Sequence, residues 1–228
     1  MRVYGKNVAK EILQKPKTIK KAYIYENFND NEILEQLKKA GIPCKFLDKK
    51  SLDDIEEGNH QGIILEIDDY KYTFLDELLD RDIIIILDHL EDPHNFGAII
   101  RTCEAAGINS IIIPKDRSVK VNATVMKTSA GTLENVDICM VSNIVNAIKT
   151  LKDNGFWIIG TDMEGTDYRK IDYKGKIAIV IGNEGKGLSR LTEENCDFVA
   201  KIPMYGTVNS LNASVAAALV IYEAVMNR

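Results

Sequence analysis

Apolar and polar positions along this chain alternate between two periods. Residues 29–41, NDNEILEQLKKAG, place Ile33, Leu34 and Leu37 on one face, and Gly41 ends the stretch, so the spacing predicts an amphipathic helix. A helix over Asn7 to Leu13, stopped by Pro16, precedes it, and a short strand is expected around Ala22 to Tyr25. IPCKFL predicts another strand, SLDDIEEG a short helix capped by Ser51, and HQGIILEI (60–67) ends in a strand. The polar segment 68–82 carries a short helix around Leu75 to Leu79. Beyond it, DIIIILD (82–88) is a continuous apolar run bounded by acids, as expected for a strand buried on both faces.

The second part repeats that pattern. Strands are predicted at SIIIP (110–114), DICMV, FWIIGTD (156–162), IAIVIGN (177–183) and FVAKIP (198–203). Helices are predicted at 95–107, 122–130, 145–155 and from about Ser210 to Met226. Strands separated by helices imply an α/β fold with a mostly parallel sheet covered on both faces. The organisation expected is a small N-terminal α/β domain over residues 1–70, a linker over 71–78 and a larger domain over 79–228.

Three strands end in chemistry that a core does not need. In an open parallel sheet, ligands bind beyond the C-terminal strand ends. After the first buried strand comes DPHNFGAIIR, with Asn95 at a helix start and Arg101 two turns in. Asn95 is equally readable as a helix cap, and Arg101 as a solvated residue. After IAIVI comes GNEGKG, residues 182–187, with Glu184 among three glycines. The order GxxGxG is neither the dinucleotide GxGxxG nor a phosphate-binding GK[ST] loop, which argues against a nicotinamide-dependent enzyme. After FVAKIP comes MYGTVNSLNAS, where Asn209, Ser210, Asn212 and Ser214 crowd one helix start. One residue suffices to cap a helix. Gly206 leaves the backbone of this connection open to approach.

The 228 residues carry a net charge of −5 with 45% hydrophobic and 28% charged residues, an ordinary globular balance. The whole molecule is therefore no general polyanion binder, and any RNA surface must be local. Residues 1–21 hold seven Lys/Arg, Lys6 among them, against Glu11 alone. The four cysteines form no CxxC pair and do not combine with the three histidines at zinc spacing, so a reduced, metal-free cytoplasmic protein is expected. No signal peptide or bilayer-spanning run is evident.

Taken together, DPHNFGAIIRTCEAAG, PKDRS, NATVMKTSAG, VIGNEGKG and IPMYGTVNSLNAS resemble the motifs of the SPOUT superfamily, in its SpoU (TrmH) branch of RNA ribose 2′-O-methyltransferases. The likeness spans essentially the whole chain. VYGKNVAKEIL and NHQGIILEI are similar to that family's small RNA-binding domain. Within the branch, the likeness is to enzymes that methylate a guanosine ribose of 23S ribosomal RNA, with transfer-RNA methylation or an inactive RNA-binding scaffold as alternatives.

The resemblance implies a deep trefoil knot at the C-terminus, a homodimer with its site at the interface, and S-adenosylmethionine as cofactor. It implies a cofactor pocket involving Thr161, Gly182, Ile202 and Leu211. It implies a reactive group of Asn95, Arg101, Glu184, Ser210 and Asn212, and no metal. Arg101 is the residue usually assigned as base in that family, but an arginine essentially never deprotonates in a protein. Arg101 is therefore expected to hold RNA and stabilise developing alkoxide, with the proton passing to Glu184 or water. Lys6, Lys115, Arg117 and Lys120 are expected to bind RNA.

Overall fold

The computed structural model describes residues 1–14 and 19–228. Pro16, the expected stop of the first helix, lies outside the described residues, as do Lys15 and Lys17. The chain forms two compact units, Met1–Lys71 with Val121–Lys127, and Tyr72–Lys120 with Thr128–Arg228.

The first unit contains β1 (Arg2–Tyr4), α1 (Lys6–Ile12), β2 (Ile19–Tyr25), α2 (Asn31–Lys39), β3 (Cys44–Leu47), α3 (Lys49–Asp53) and β4 (Ile63–Ile67). Its sheet runs β1-β4-β2-β3, with β4 antiparallel to both neighbours and β2 parallel to β3. The three-residue β1 gives too short a pattern to predict. Val3, Ala22, Ile24, Ile63 and Leu65 meet Val8 and Ile12 of α1 and Ile33 and Leu37 of α2 in one core. Asp30 caps α2 by accepting from the Ile33 amide. α3 begins earlier than expected: Asp48, not Ser51, is its cap, and Ser51 donates its amide to the Asp48 carboxylate at 2.8 Å.

Folding changes the charge of the basic N-terminal stretch. Lys10 pairs with Glu32 and Asp30, and Lys20 reaches Asp68 at 2.9 Å. Lys21 lies over the Tyr23 ring. Acids distant in sequence thus neutralise part of what looked locally like a uniform basic patch.

The second unit holds β5 (Ile83–Leu87), α4 (Pro93–Ala105), β6 (Ser110–Pro114), β7 (Asp137–Val141), α6 (Ile144–Asp153), β8 (Trp157–Asp167), β9 (Ile177–Ile181), α7 (Arg190–Glu193), β10 (Phe198–Lys201) and α8 (Ala213–Met226); α5 (Ala123–Ser129) lies in the segment divided between the units. The sheet order is β10-β8-β9-β5-β6-β7, and every pairing is parallel. All residues of β5, β6 and β9 are buried, which explains their continuous Ile/Val runs. Ala178 and Val180 of β9 join Ile144, Ile148 and Leu151 of α6 in one core. α8 packs on β9 and α4.

β8 is longer than its apolar pattern. Ile159 and Gly160 pair with Phe198 and Val199, and the ladder resumes only at Thr166 and Asp167 with Ala200 and Lys201. Residues 161–165 therefore detour from β10. Gly165 permits the return, because a Cβ there would meet the Val199 carbonyl oxygen at 2.4 Å.

All four cysteines are free. Burial raises the Cys139 thiol to about 11 and Cys196 to about 12, and pushes Cys103 up further still. Partial burial raises the Cys44 thiol as well, but Cys44 is the exposed one of the four. Thiolate is the reactive form, so titration of the native protein with an aromatic disulfide at pH 8 is expected to show one fast thiol, lost in Cys44→Ser, and all four after denaturation.

Candidate active site

Parallel pairing brings the C-terminal strand ends of the second unit to one edge of the sheet. The segment after β9 folds there into a tight loop. Asn183 and Gly187 exchange backbone hydrogen bonds of 2.9 and 3.0 Å. The Asn183 side-chain oxygen accepts from the Gly185 amide at 3.0 Å, and its amide donates to the His89 carbonyl at 2.8 Å. Asn183 thus shapes the loop and ties it to the segment after β5. The resemblance pointed to no role for it, but Asn-x-Gly is a turn-forming pattern. A Cβ at Gly182 would lie 2.4 Å from the Gly187 carbonyl carbon, so the loop can fold back only on a glycine. Gly187 has φ +66°, the left-handed region glycine favours.

Asp88 supplies a second tie and is only 1% exposed. Its carboxylate contacts His89 Nδ1 at 2.6 Å and accepts from the Ser189 amide at 2.8 Å. In sequence Asp88 looked like a simple boundary to the apolar run. In the fold it ties the end of β5 to the segment that follows the glycine loop.

These elements enclose a cavity of about 710 Å³. Thr161, Gly182, Glu184, Ile202, Ser210 and Leu211, six of the residues expected at the site, line it. The Thr161 hydroxyl itself donates to the Val180 carbonyl at 3.0 Å. Asn95, 6% exposed, donates its side-chain amide to Glu184 at 3.0 Å. This joins residues 89 positions apart. Asn95 is not the cap of α4; Asp92 is, accepting from the His94 amide.

The crowded helix start also resolves. α8 begins at Ala213, and neither Asn209 nor Ser210 caps it. Asn212 does, with Oδ1 accepting from the Ser214 amide at 3.0 Å and from its hydroxyl at 2.6 Å. Ser210 and Asn209 are left facing the cavity. Gly206 has open space where a Cβ would lie, so no close approach requires glycine there.

Arg101 stands elsewhere. It is exposed, makes no hydrogen bond or ion pair among the described residues, and lines a separate hollow of about 430 Å³ with Ala98, Ala105, Ala218 and Tyr222. Lys115, Arg117 and Lys120 are exposed on the segment after β6. Lys6 belongs to the first unit, where its ammonium contacts Asn29 at 3.3 Å and lies over Phe28. No cluster of His, Cys, Asp or Glu among the described residues could hold a metal ion.

The cavity suits a polar small molecule. Its volume is in the range of small-molecule sites, and its lining mixes Ile202, Leu211 and Met204 with loop backbone and a few charged groups.

Two family models match the chain: "SpoU rRNA Methylase family" over residues 82–222, and "RNA 2'-O ribose methyltransferase substrate binding" over residues 2–73. The chain belongs to the SpoU methylase family. A Staphylococcus saprophyticus protein assigned to the TrmH family of tRNA/rRNA methyltransferases is 43% identical across 99% of this chain and 95% of its own length. Two solved structures share the fold. The SpoU methyltransferase AviRb of Streptomyces viridochromogenes, solved with AdoMet, superposes with a TM-score of 0.80 at 23% identity, covering 99% of this chain and 89% of that one. An AdoMet-bound rRNA methyltransferase from Sinorhizobium meliloti gives 0.78 at 25% identity, covering 98% and 85%. The chain is thus a SpoU-type RNA methyltransferase, and the methylase match contains every cavity-lining residue.

Asp88→Ala leaves the Ser189 amide and His89 without their acceptor. A buried group stranded this way costs about 1–3 kcal/mol. Urea unfolding is expected to show a loss of that size with native circular dichroism retained.

Proposed function

We propose that this SpoU methyltransferase transfers a methyl group from S-adenosylmethionine to a ribose 2′-hydroxyl of RNA, with a guanosine of 23S ribosomal RNA as target. The observation that carries the reading is the hydrogen bond from buried Asn95 to Glu184, a residue that lines the glycine-loop cavity together with Ser210. The N-terminal match to a 2′-O ribose substrate-binding model supports the ribose as acceptor.

When bound, the cofactor supplies an electrophilic methyl on a sulfonium. The chain's own residues align the hydroxyl and handle its proton. Thr161, Gly182, Ile202 and Leu211 line the cofactor site, Gly182 through backbone alone. Asn95 holds one oxygen of Glu184 and leaves the other for the ribose hydroxyl, whose proton passes there or to water. Ser210 orients the ribose. Asn212, whose side-chain oxygen is committed to the α8 cap, acts through its free amide or by placing Ser210.

Arg101 completes the group from a second copy. α8 is apolar all round, and Val215, Leu219 and Tyr222 remain exposed on it. A helix of that kind is normally covered. A homodimer through this face, carrying Arg101 beside α8, buries it and brings Arg101 to the partner's cavity. There its fixed charge grips phosphate and stabilises developing alkoxide. Lys115, Arg117 and Lys120 extend the RNA surface, and the first unit with Lys6 serves as the RNA-binding domain. The path of the chain supports the trefoil knot: β10 leaves the sheet edge, residues 202–212 pass the glycine loop, and α8 returns against α4.

Two measurements test the reading. Tritium from labelled cofactor is expected in a ribose of 23S ribosomal RNA and absent from transfer RNA; label in transfer RNA alone moves the substrate, and no label in either removes the activity. Glu184→Gln and Arg101→Ala are each expected to cut the single-turnover rate about 100-fold or more. Mixing the two variants is expected to restore about one quarter of wild-type activity, because half the dimers are mixed and each has one intact site. No recovery on mixing excludes the shared site.

A further inference from the structure

We infer that Asp162 is a cofactor-specificity residue, its carboxylate binding the vicinal hydroxyls of the cofactor's ribose. This rests on the cofactor reading above. Asp162 lies in the 161–165 detour, where β8 abandons β10 and resumes pairing at Thr166. The detour lines the cavity through Thr161, Asp162 and Met163. It is a built feature: Gly165 packs without a side chain against Val199, and the Asp162 carboxylate closes the turn.

The two carboxylate oxygens have different surroundings. Oδ1 accepts from the Met163 amide at 2.6 Å and the Glu164 amide at 3.3 Å, which fixes the rotamer. Oδ2 accepts from no donor among the described residues. It sits 3.0 Å from the position a Cβ would take at Gly187, against the inner side of the glycine loop. Glycine at 187 therefore does two things: it adopts φ +66° and leaves Oδ2 room.

A carboxylate only accepts hydrogen bonds. An immobilised, half-buried one facing a cavity favours a ligand that brings donors. Thr161, its neighbour, lines the proposed cofactor site, and in this role Asp162 places the cofactor's nucleoside half beside the two. The donors there are the ribose 2′- and 3′-hydroxyls and the adenine amine. An acid at the C-terminal end of a parallel strand serves ribose hydroxyls in unrelated dinucleotide folds for the same geometric reason. Lys186 and Lys201, also on the lining, complement the opposite charge of the cofactor, its carboxylate.

Calorimetry with S-adenosylhomocysteine tests the assignment, since that ligand lacks the sulfonium charge. Asp162→Asn and Asp162→Ala are expected to weaken its binding about 10-fold or more while the melting curve stays near wild type. The 2′-deoxy and 3′-deoxy analogues are expected to bind wild type correspondingly less well, and the variants are expected to lose that discrimination. Unchanged affinity in the variants overturns the assignment. So does an equal loss for the parent and deoxy ligands, or a loss that tracks an N6-methylated analogue instead. Failure of wild type to bind S-adenosylhomocysteine at all fells the cofactor reading itself, a different result from binding that ignores Asp162.

Discussion

At residue 182 the backbone passes so close to Gly187 and Leu188 that no side chain fits between them. The cavity depends on this contact. It lets the chain leaving β9 turn back within six residues, and it directs Glu184 from the middle of the loop toward Asn95. Asn183 then braces the loop from inside, and Asp88 and His89 brace it from the neighbouring strand end. An excess of glycine would make a loop floppy on its own. Here hydrogen bonds linking Asn183 to Gly185, Gly187 and His89 hold the loop in its turn.

The parallel sheet makes that loop useful. Six strands pointing the same way deliver their C-terminal ends to one edge, so residues far apart in sequence converge without long connections. β8 adds an irregularity that fits the same logic. Its break with β10 exposes a short arm to the cavity, and Gly165 lets the strand rejoin the sheet afterwards. Thr161 and Asp162 owe their position to that break.

Electrostatics illustrates a general weakness of local charge counting. Seven basic residues in the first 21 suggested a polyanion surface. Lys10 and Lys20 turn out to face Asp30, Glu32 and Asp68, which belong to other elements. Exposed pairs of this kind add little stability, but they remove charge from the surface offered to RNA. Lys115, Arg117 and Lys120, by contrast, stay exposed at the sheet edge that holds the cavity.

The α/β alternation, the buried Ile-rich strands and the three functional stretches were legible in the sequence, because burial on both faces and glycine-dense loops leave direct marks on residue type. Motif resemblance also grouped Glu184, Gly182, Ser210, Ile202 and Leu211, and the fold brings these five to one cavity. Asp88, Asn183 and Asp162 were not legible: their residue types suit ordinary boundaries and turns, and only long-range partners distinguish Asp88 and Asn183, and only the cavity it lines distinguishes Asp162. The cap of α8 was ambiguous for a related reason, since Asn209, Ser210 and Asn212 have equal capping chemistry and only backbone geometry selects Asn212. Arg101 marks the same limit. Its motif announced a reactive group, but a helix face has one direction, and that direction was decided by which residues of α4 the sheet and α8 bury. Local pattern determines what each segment can form; which side chains meet is decided by packing across the whole chain.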